Sequence, residues 1–133
     1  MSVLKRWLPV VAWSAVILLT SNNNFSSAHT GAWIDTVFGV AVPHFFNVAF
    51  RKTLHLTGYG ILGALAWRAT RGAVLQALLV AVVVSGIDEW HQSTLAARRG
   101  SAWDVLLDVV GALIAIGLII RVQQYRSRRR YTE

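Results

Sequence analysis

Long apolar runs separated by short polar breaks dominate this chain. Four of the runs contain about 17 to 20 residues each, enough for an α-helix to cross a hydrocarbon layer roughly 30 Å thick. They occupy residues 4–20, 53–69, 72–88 and 102–120. The pattern therefore predicts an all-α, polytopic membrane protein: one domain over residues 1–133, built as a four-helix transmembrane bundle.

The stretch from residue 34 to residue 50 is also apolar, but Pro43 and His44 interrupt it. The basic residues decide how it is placed. If the stretch does not cross and the amino terminus is cytoplasmic, nine Lys and Arg residues lie inside and four outside, whereas a fifth crossing puts six inside and seven outside. Because cytoplasmic loops are enriched in Lys and Arg, we predict an interfacial segment between spans 1 and 2.

Composition agrees with lipid as the solvent, since 55% of the residues are hydrophobic and 14% are charged. Cysteine is absent, which excludes a disulfide framework and a thiolate metal site. The net charge is +7, but the basic residues do not alternate with aromatic ones, so we predict no nucleic-acid partner. Residues 121–133 are instead predicted to form a basic cytoplasmic tail that contacts anionic lipid. Both termini are predicted to lie on the cytoplasmic side of the cell inner (plasma) membrane.

Acidic and imidazole side chains gather at the outer ends of three spans. Within each span they recur at i, i+3, i+4 and i+7, so each set lies along one helix face. The residues of these stripes are Arg51, Lys52, His55, Tyr59, Asp88, His91, Gln92, Ser101, Asp104 and Asp108, and Glu89 lies beside Asp88. The spacing predicts a polar site that the three helices share and that opens toward the outer face.

Asp108 gives this prediction its energetic basis. A charged side chain near the bilayer centre costs about 2.5 to 3.5 kcal/mol even on a lenient scale. Asp108 lies inside its span, and its short stem cannot reach the interface. We therefore expect it to turn inward and to find a partner on another helix.

The order of these residues resembles the VanZ-like family of small membrane proteins. The family's basic pair, histidine and tyrosine are matched by Arg51-Lys52-x-x-His55-x-x-x-Tyr59, and its second block is matched from Asp88 to Asp108, including Arg98. The resemblance covers roughly residues 45–120, although residues 94–97 lack the aromatic and Pro-Gly turn of many relatives. It implies a polytopic envelope protein from a family named for a member linked to reduced teicoplanin sensitivity, and it supplies no agreed chemistry.

Three interpretations of the site remain open. As a binding site, Arg51, Lys52 and Arg98 hold an anionic lipid head group, a lipid-linked cell-wall precursor or a glycopeptide. As an enzyme, the same cations clamp a lipid-linked phosphate or pyrophosphate while His55 or Glu89 acts as acid or base. As a structural network, the ion pairs only orient helices.

Residue roles follow from these interpretations. His55 and Glu89 are the acid–base candidates, and the other stripe residues, together with Arg98, are assigned to substrate binding. The carboxylates and a histidine also leave open a divalent cation. Assembly as a homo-oligomer is left open as well.

Glycine recurs within the second and fourth spans, at Gly58, Gly60, Gly63, Gly111 and Gly117. In membrane helices, small residues usually mark faces where two backbones approach closely. We therefore predict close packing between helices at these positions rather than ligand binding.

Overall fold

The computed structural model describes residues 2–21, 27–39, 43–95 and 101–130. Within these ranges the chain forms five α-helices and no β-strand. They are α1 (Val3–Thr20), α2 (Ser27–Phe38), α3 (His44–Ala69), α4 (Val74–Ser93) and α5 (Ala102–Arg130). The predicted all-α class is confirmed.

Helix α3 is the element on which the others assemble, since it packs against α1, α2, α4 and α5. It begins at His44, directly after Pro43, and so includes nine residues before the predicted start of the second span. Proline is tolerated here because the first turn of a helix needs no backbone donor. The segment predicted over residues 34–50 is therefore not one element, because α2 takes its beginning and α3 its end.

The other helix bounds also differ from the predicted spans. Arg71 and Gly72 have φ angles of 58° and 90°, a left-handed turn that delays the start of α4 to Val74. At the far end, α5 continues to Arg130, so the first ten residues of the predicted basic tail are helical. No proline or glycine follows Gly117 to stop it.

Many small side chains are buried in this bundle, and many large apolar ones are exposed. The fully buried positions include Ala66, Ala77 and Ala81, whereas Leu4 and Leu75 are 76% and 72% exposed. Large apolar side chains on the outside suit lipid rather than water.

Among the described residues, α1, α4 and α5 are long and apolar enough to cross a membrane. The protein is therefore a membrane protein. Helix α3 has the length, 26 residues, but it does not reach the same apolarity because of the polar residues between Arg51 and Tyr59.

Helices α3 and α5 cross with almost no space between their backbones. A Cβ atom on Gly63 would lie 2.7 Å from the Cβ of Ala112, and one on Gly111 would collide with the carbonyl oxygen of Leu56. Gly60 lies against the same part of α5, with an added Cβ 3.4 Å from the Gly111 carbonyl oxygen. The predicted close approach is confirmed at these three glycines.

The prediction is wrong for Gly58 and Gly117, since an added Cβ at either would meet nothing within 4 Å. Gly58 instead offers its carbonyl oxygen to Trp13 Nε1 at 2.8 Å, which attaches α1 to α3. Arg6 makes a second attachment by donating to the Ala69 carbonyl oxygen at 3.3 Å, near the end of α3. Helix α1 is thus held to α3 at two points along its length.

Replacing Gly111 with alanine should destabilise the protein by about 1 to 3 kcal/mol, because the new methyl group forces α3 and α5 apart. Gly117→Ala is the matched control, since it meets nothing and should be neutral or stabilising by up to about 1 kcal/mol. Thermal unfolding of the purified protein in detergent measures both. Equal melting temperatures for the two variants would contradict the proposed role of this crossing.

Candidate functional site

Polar residues on α3, α4 and α5, together with Ser21 directly after α1 and Ser101 directly before α5, form three hydrogen-bonded groups, which together we call the polar layer. Its members are Ser21, Lys52, His55, Tyr59, Ser85, Asp88, Glu89, Gln92, Ser101, Asp104 and Asp108. Some of these are among the least exposed residues of the bundle, whereas large apolar residues face outward. The layer gathers stripe residues from all three predicted spans.

Asp108 joins three helices at the centre of the polar layer. Its Oδ1 lies 3.2 Å from Nδ1 of His55 on α3, and its Oδ2 accepts a 2.6 Å hydrogen bond from the Ser85 hydroxyl on α4. The side chain is 0% exposed. Asp108 shares a helix face with Gly111 and Ala112, which contact α3. The close approach of α5 to α3 therefore places the Asp108 carboxylate beside its partners. The expectation that Asp108 turns inward is confirmed.

His55 is oriented by this contact. An ionised carboxylate can only accept hydrogen bonds, so Nδ1 carries the hydrogen. Nε2 is then the ring nitrogen that can accept a hydrogen bond or a proton. The imidazole also stacks on the Tyr59 ring, with centroids 6.3 Å apart and planes 14° apart. Its side chain is 25% exposed, so it lies between the buried and the open part of the layer.

A second group of contacts centres on Asp88. The Tyr59 hydroxyl donates to Asp88 Oδ2 at 3.4 Å, and Gln92 Nε2 donates to the same oxygen at 3.1 Å. Gln92 also donates to the Ser21 hydroxyl at 2.8 Å, which links α1 to the layer. Asp88 is 1% exposed, yet its Oδ1 forms no hydrogen bond with any residue in the described ranges.

Glu89 lies one residue further along α4 and reaches the start of α5. Its Oε2 accepts a 2.6 Å hydrogen bond from the backbone N–H of Ser101, the residue directly before α5. The positive end of the helix dipole favours a carboxylate at this position. Glu89 is 6% exposed, and its Oε1, like Oδ1 of Asp88, has no hydrogen-bond partner in the part of the chain that the structure describes.

The open end of the polar layer is formed by Lys52 and Asp104. Their Nζ and Oδ1 atoms are 3.1 Å apart, and the side chains are 53% and 35% exposed. An exposed pair of this kind contributes at most about 1 kcal/mol. Arg51 lies half-buried directly before Lys52 and adds a second positive charge nearby. The layer thus runs from an exposed cationic end to a buried acidic interior.

Not all the predicted site residues take part. His91 is exposed, and it lies about 60° around α4 from Asp88, on the side of the Asp88–Gln92 face opposite to the buried Glu89. Arg51 is near the layer but makes none of the contacts that define it. Arg98 lies outside the described residues.

Sequence reasoning missed Ser85 and Ser21. Ser85 precedes Asp88 by three residues and Gln92 by seven, the same spacing used to identify the other stripes. Extending the stripe of the third span by one turn into the apolar run would have identified Ser85. Ser21 ends α1 and carries no such signal, because its role depends on how α1 packs against α4.

The open question of a divalent cation gains no support from this geometry. Within the described ranges, no three or more His, Asp or Glu side chains are placed to hold a metal ion. The carboxylates of the layer are separated by neutral groups, as Asp88 and Asp108 are by Tyr59 and Ser85. Divalent ions need several oxygen or nitrogen ligands around one point.

One family model, described as VanZ/LLP1, matches residues 6–123. The matched range begins within α1 and ends within α5, so it includes every residue of the polar layer. No curated protein and no solved structure matches the chain.

Two aspartates four residues apart on α5 allow a matched test of the layer. Asp108→Ala should destabilise the protein by about 3 kcal/mol, because it leaves the buried Ser85 hydroxyl and the His55 N–H without an acceptor. Asp104→Ala removes only the exposed pair and should cost less than about 1 kcal/mol. Unfolding of both variants in detergent gives the comparison, and similar losses for the two would refute the central role of Asp108.

Proposed function

Because the chain belongs to the VanZ/LLP1 family, we propose that it is a multi-pass protein of the bacterial cell envelope whose polar layer binds a phosphate-bearing lipid head group. The same chemistry would serve a lipid-linked cell-wall precursor, and a glycopeptide is the remaining ligand class that the family resemblance raises. Lys52 and Arg51 would hold the phosphate at the exposed end.

In the proposed topology α3 crosses the plasma membrane as well as α1, α4 and α5, which gives four crossings. Helix α2 then lies at the outer interface, and both termini are cytoplasmic. Helix α3 has 26 residues, about 39 Å at 1.5 Å per residue, which is long enough to span. Its polar residues Lys52, His55 and Tyr59 are paired with α4 and α5, and such pairing lets a less apolar helix remain in lipid. Arg68 and Arg71 then lie on the inner side with the basic end of α5.

The observation that carries the binding proposal is a pair of buried oxygens, Asp88 Oδ1 and Glu89 Oε1, that have no hydrogen-bond partner among the described residues. An unsatisfied buried polar atom costs about 1 to 3 kcal/mol, so a network that only orients helices is expected to satisfy its own groups. A head group that carries a hydrogen-bond donor as well as a phosphate would satisfy these acceptors. The proposal therefore favours binding over a purely structural network.

A second candidate function is catalysis, which the His55–Asp108 contact favours. A buried carboxylate at Nδ1 holds an imidazole in one tautomer and directs Nε2 toward a reacting group, as general-base catalysis requires. Ser85 is not the nucleophile of such an arrangement, because its hydroxyl donates to Asp108 instead of to the imidazole. The reaction that these residues would support is hydrolysis of a lipid-linked phosphate. His55 would take a proton from the attacking water, the bond from phosphorus to the bridging oxygen would break, and Glu89 would donate a proton to the leaving oxygen.

Cysteine labelling tests the topology without background, because the chain has no cysteine of its own. With four crossings, Ser93→Cys should react with a membrane-impermeant reagent in intact cells, whereas Gln124→Cys should react only after permeabilisation. If α3 does not cross, the pattern reverses, because α4 and α5 then run in the opposite directions. Both positions are exposed, so burial does not limit the reaction.

The chain's two lysines provide a matched pair for testing the function. Lys52→Gln should weaken binding of a lipid-linked pyrophosphate roughly 10-fold, because a charge-assisted contact to the phosphate is lost. Lys5→Gln changes a lysine at the opposite end of the bundle and should bind like the wild type. Native mass spectrometry of the purified chain measures bound lipid, and a phosphate-release assay on the same samples detects turnover.

We expect saturable binding without phosphate release. Release that disappears in His55→Gln would establish catalysis in place of binding alone. Absence of saturable binding by the wild type would refute both candidate functions.

A further inference from the structure

Two buried carboxylates in the polar layer have no positively charged partner in the described residues. The layer's two basic side chains are already engaged, Lys52 with Asp104 and His55 with Asp108. Among the described residues, Asp88 and Glu89 receive hydrogen bonds from neutral donors, namely the Tyr59 hydroxyl, the Gln92 amide and the Ser101 backbone. Within these ranges the two carboxylates therefore have no compensating positive charge, and one oxygen of each has no donor.

The unbonded oxygens identify where the missing donor belongs. Oδ1 of Asp88 and Oε1 of Glu89 are both buried in side chains that are 1% and 6% exposed. Breaking a buried ion pair by removing the positive partner is strongly unfavourable. A cationic hydrogen-bond donor from outside the protein would satisfy the two oxygens and neutralise charge at the same time.

The first turn of α5 fixes the distance between this acidic interior and the exposed lysine. Glu89 binds the N–H of Ser101, and Lys52 binds the carboxylate of Asp104, three residues further along. The Asp104 N–H donates to the Ser101 carbonyl oxygen at 2.9 Å, so the two residues lie within one helical turn, a rise of roughly 4.5 Å. A ligand with a phosphate near Lys52 therefore needs only a short linker to bring a positive group to Glu89.

We propose that the polar layer binds a phospholipid head group with a primary ammonium, as in phosphatidylethanolamine, with the phosphate at Lys52 and the ammonium at Glu89 and Asp88. This inference rests on the proposed head-group binding and specifies its ligand. A primary ammonium donates three hydrogen bonds to acceptor-only carboxylates. A quaternary choline has the same charge and no N–H donor, so the site discriminates between the two by hydrogen bonding.

The experiment compares phospholipids with identical acyl chains and different head groups. The full chain, purified in detergent, is titrated with phosphatidylethanolamine, its monomethyl and dimethyl derivatives, phosphatidylcholine and phosphatidylglycerol, and bound lipid is measured by native mass spectrometry. We expect affinity to fall with each added methyl group. Phosphatidylethanolamine should bind roughly 10-fold more tightly than phosphatidylcholine.

Variants assign the preference to the carboxylates. Glu89→Gln should reduce the preference to about twofold or less while phosphatidylcholine binding stays near the wild-type value. Asp88→Asn should act in the same direction, and Lys52→Gln should weaken all the phospholipids together. Asp35→Asn removes a carboxylate of α2 outside the polar layer and should leave the preference intact. Size-exclusion profiles and melting temperatures verify that each variant folds. If a variant does not fold, the affinities of the wild type for phosphatidylethanolamine, its methyl derivatives and phosphatidylcholine test the ammonium site on their own.

The outcomes separate this inference from the broader proposal. Equal affinity for phosphatidylethanolamine and phosphatidylcholine overturns the ammonium site, and tighter binding of phosphatidylglycerol than of phosphatidylethanolamine does the same. Head-group binding itself survives in both cases, provided that it depends on Lys52. Failure of every phospholipid and of the lipid-linked pyrophosphate to bind saturably rejects both proposals together.

Discussion

The carboxylate of Asp108, enclosed between His55 and Ser85, is the constraint on which the arrangement of α3, α4 and α5 depends. A fully buried charge in a lipid-embedded bundle must have partners, and one helix cannot supply them all. The glycines at the α3–α5 crossing make the contact geometrically feasible, because they bring the two backbones together where Asp108 lies on the facing side. Close packing and ion pairing are therefore two parts of one interaction.

This arrangement also explains why the interior contains so little large apolar volume. Lipid solvates leucine and valine as well as a protein core does, so burying them inside a membrane bundle gives little driving force. Alanine and glycine let the helices approach, and polar side chains then interact strongly because water is excluded. The buried set accordingly combines residues such as Ala66 and Ala112 with Asp88 and Asp108, and Leu62 and Ile116 are its large aliphatic members, while leucines such as Leu4 and Leu75 face outward.

Periodicity and transfer energy were sufficient to predict the helical class, the inward turn of Asp108 and the gathering of three polar stripes. They were insufficient at Pro43, which interrupts an apolar run in sequence but stands before a helix in the structure. Spacing places His91 and Glu89 equally far from the centre of the Asp88–Gln92 face, so the exposure of His91 depends on how α4 packs, and the inclusion of Ser21 depends on how α1 is placed against α4. Both are tertiary properties that no local spacing specifies.

The polar layer is asymmetric in a way that a self-sufficient network would not need to be. Its deepest carboxylate, Asp108, uses both oxygens, whereas Asp88 and Glu89, nearer the end of α4, each use one oxygen in contacts with the described residues. Saturation at depth keeps the helices in register, and incomplete bonding near the open end leaves acceptors beside a solvent-exposed lysine. The contacts that stabilise the bundle and the acceptors to which we assign the proposed ligand therefore lie at different depths along the same helices.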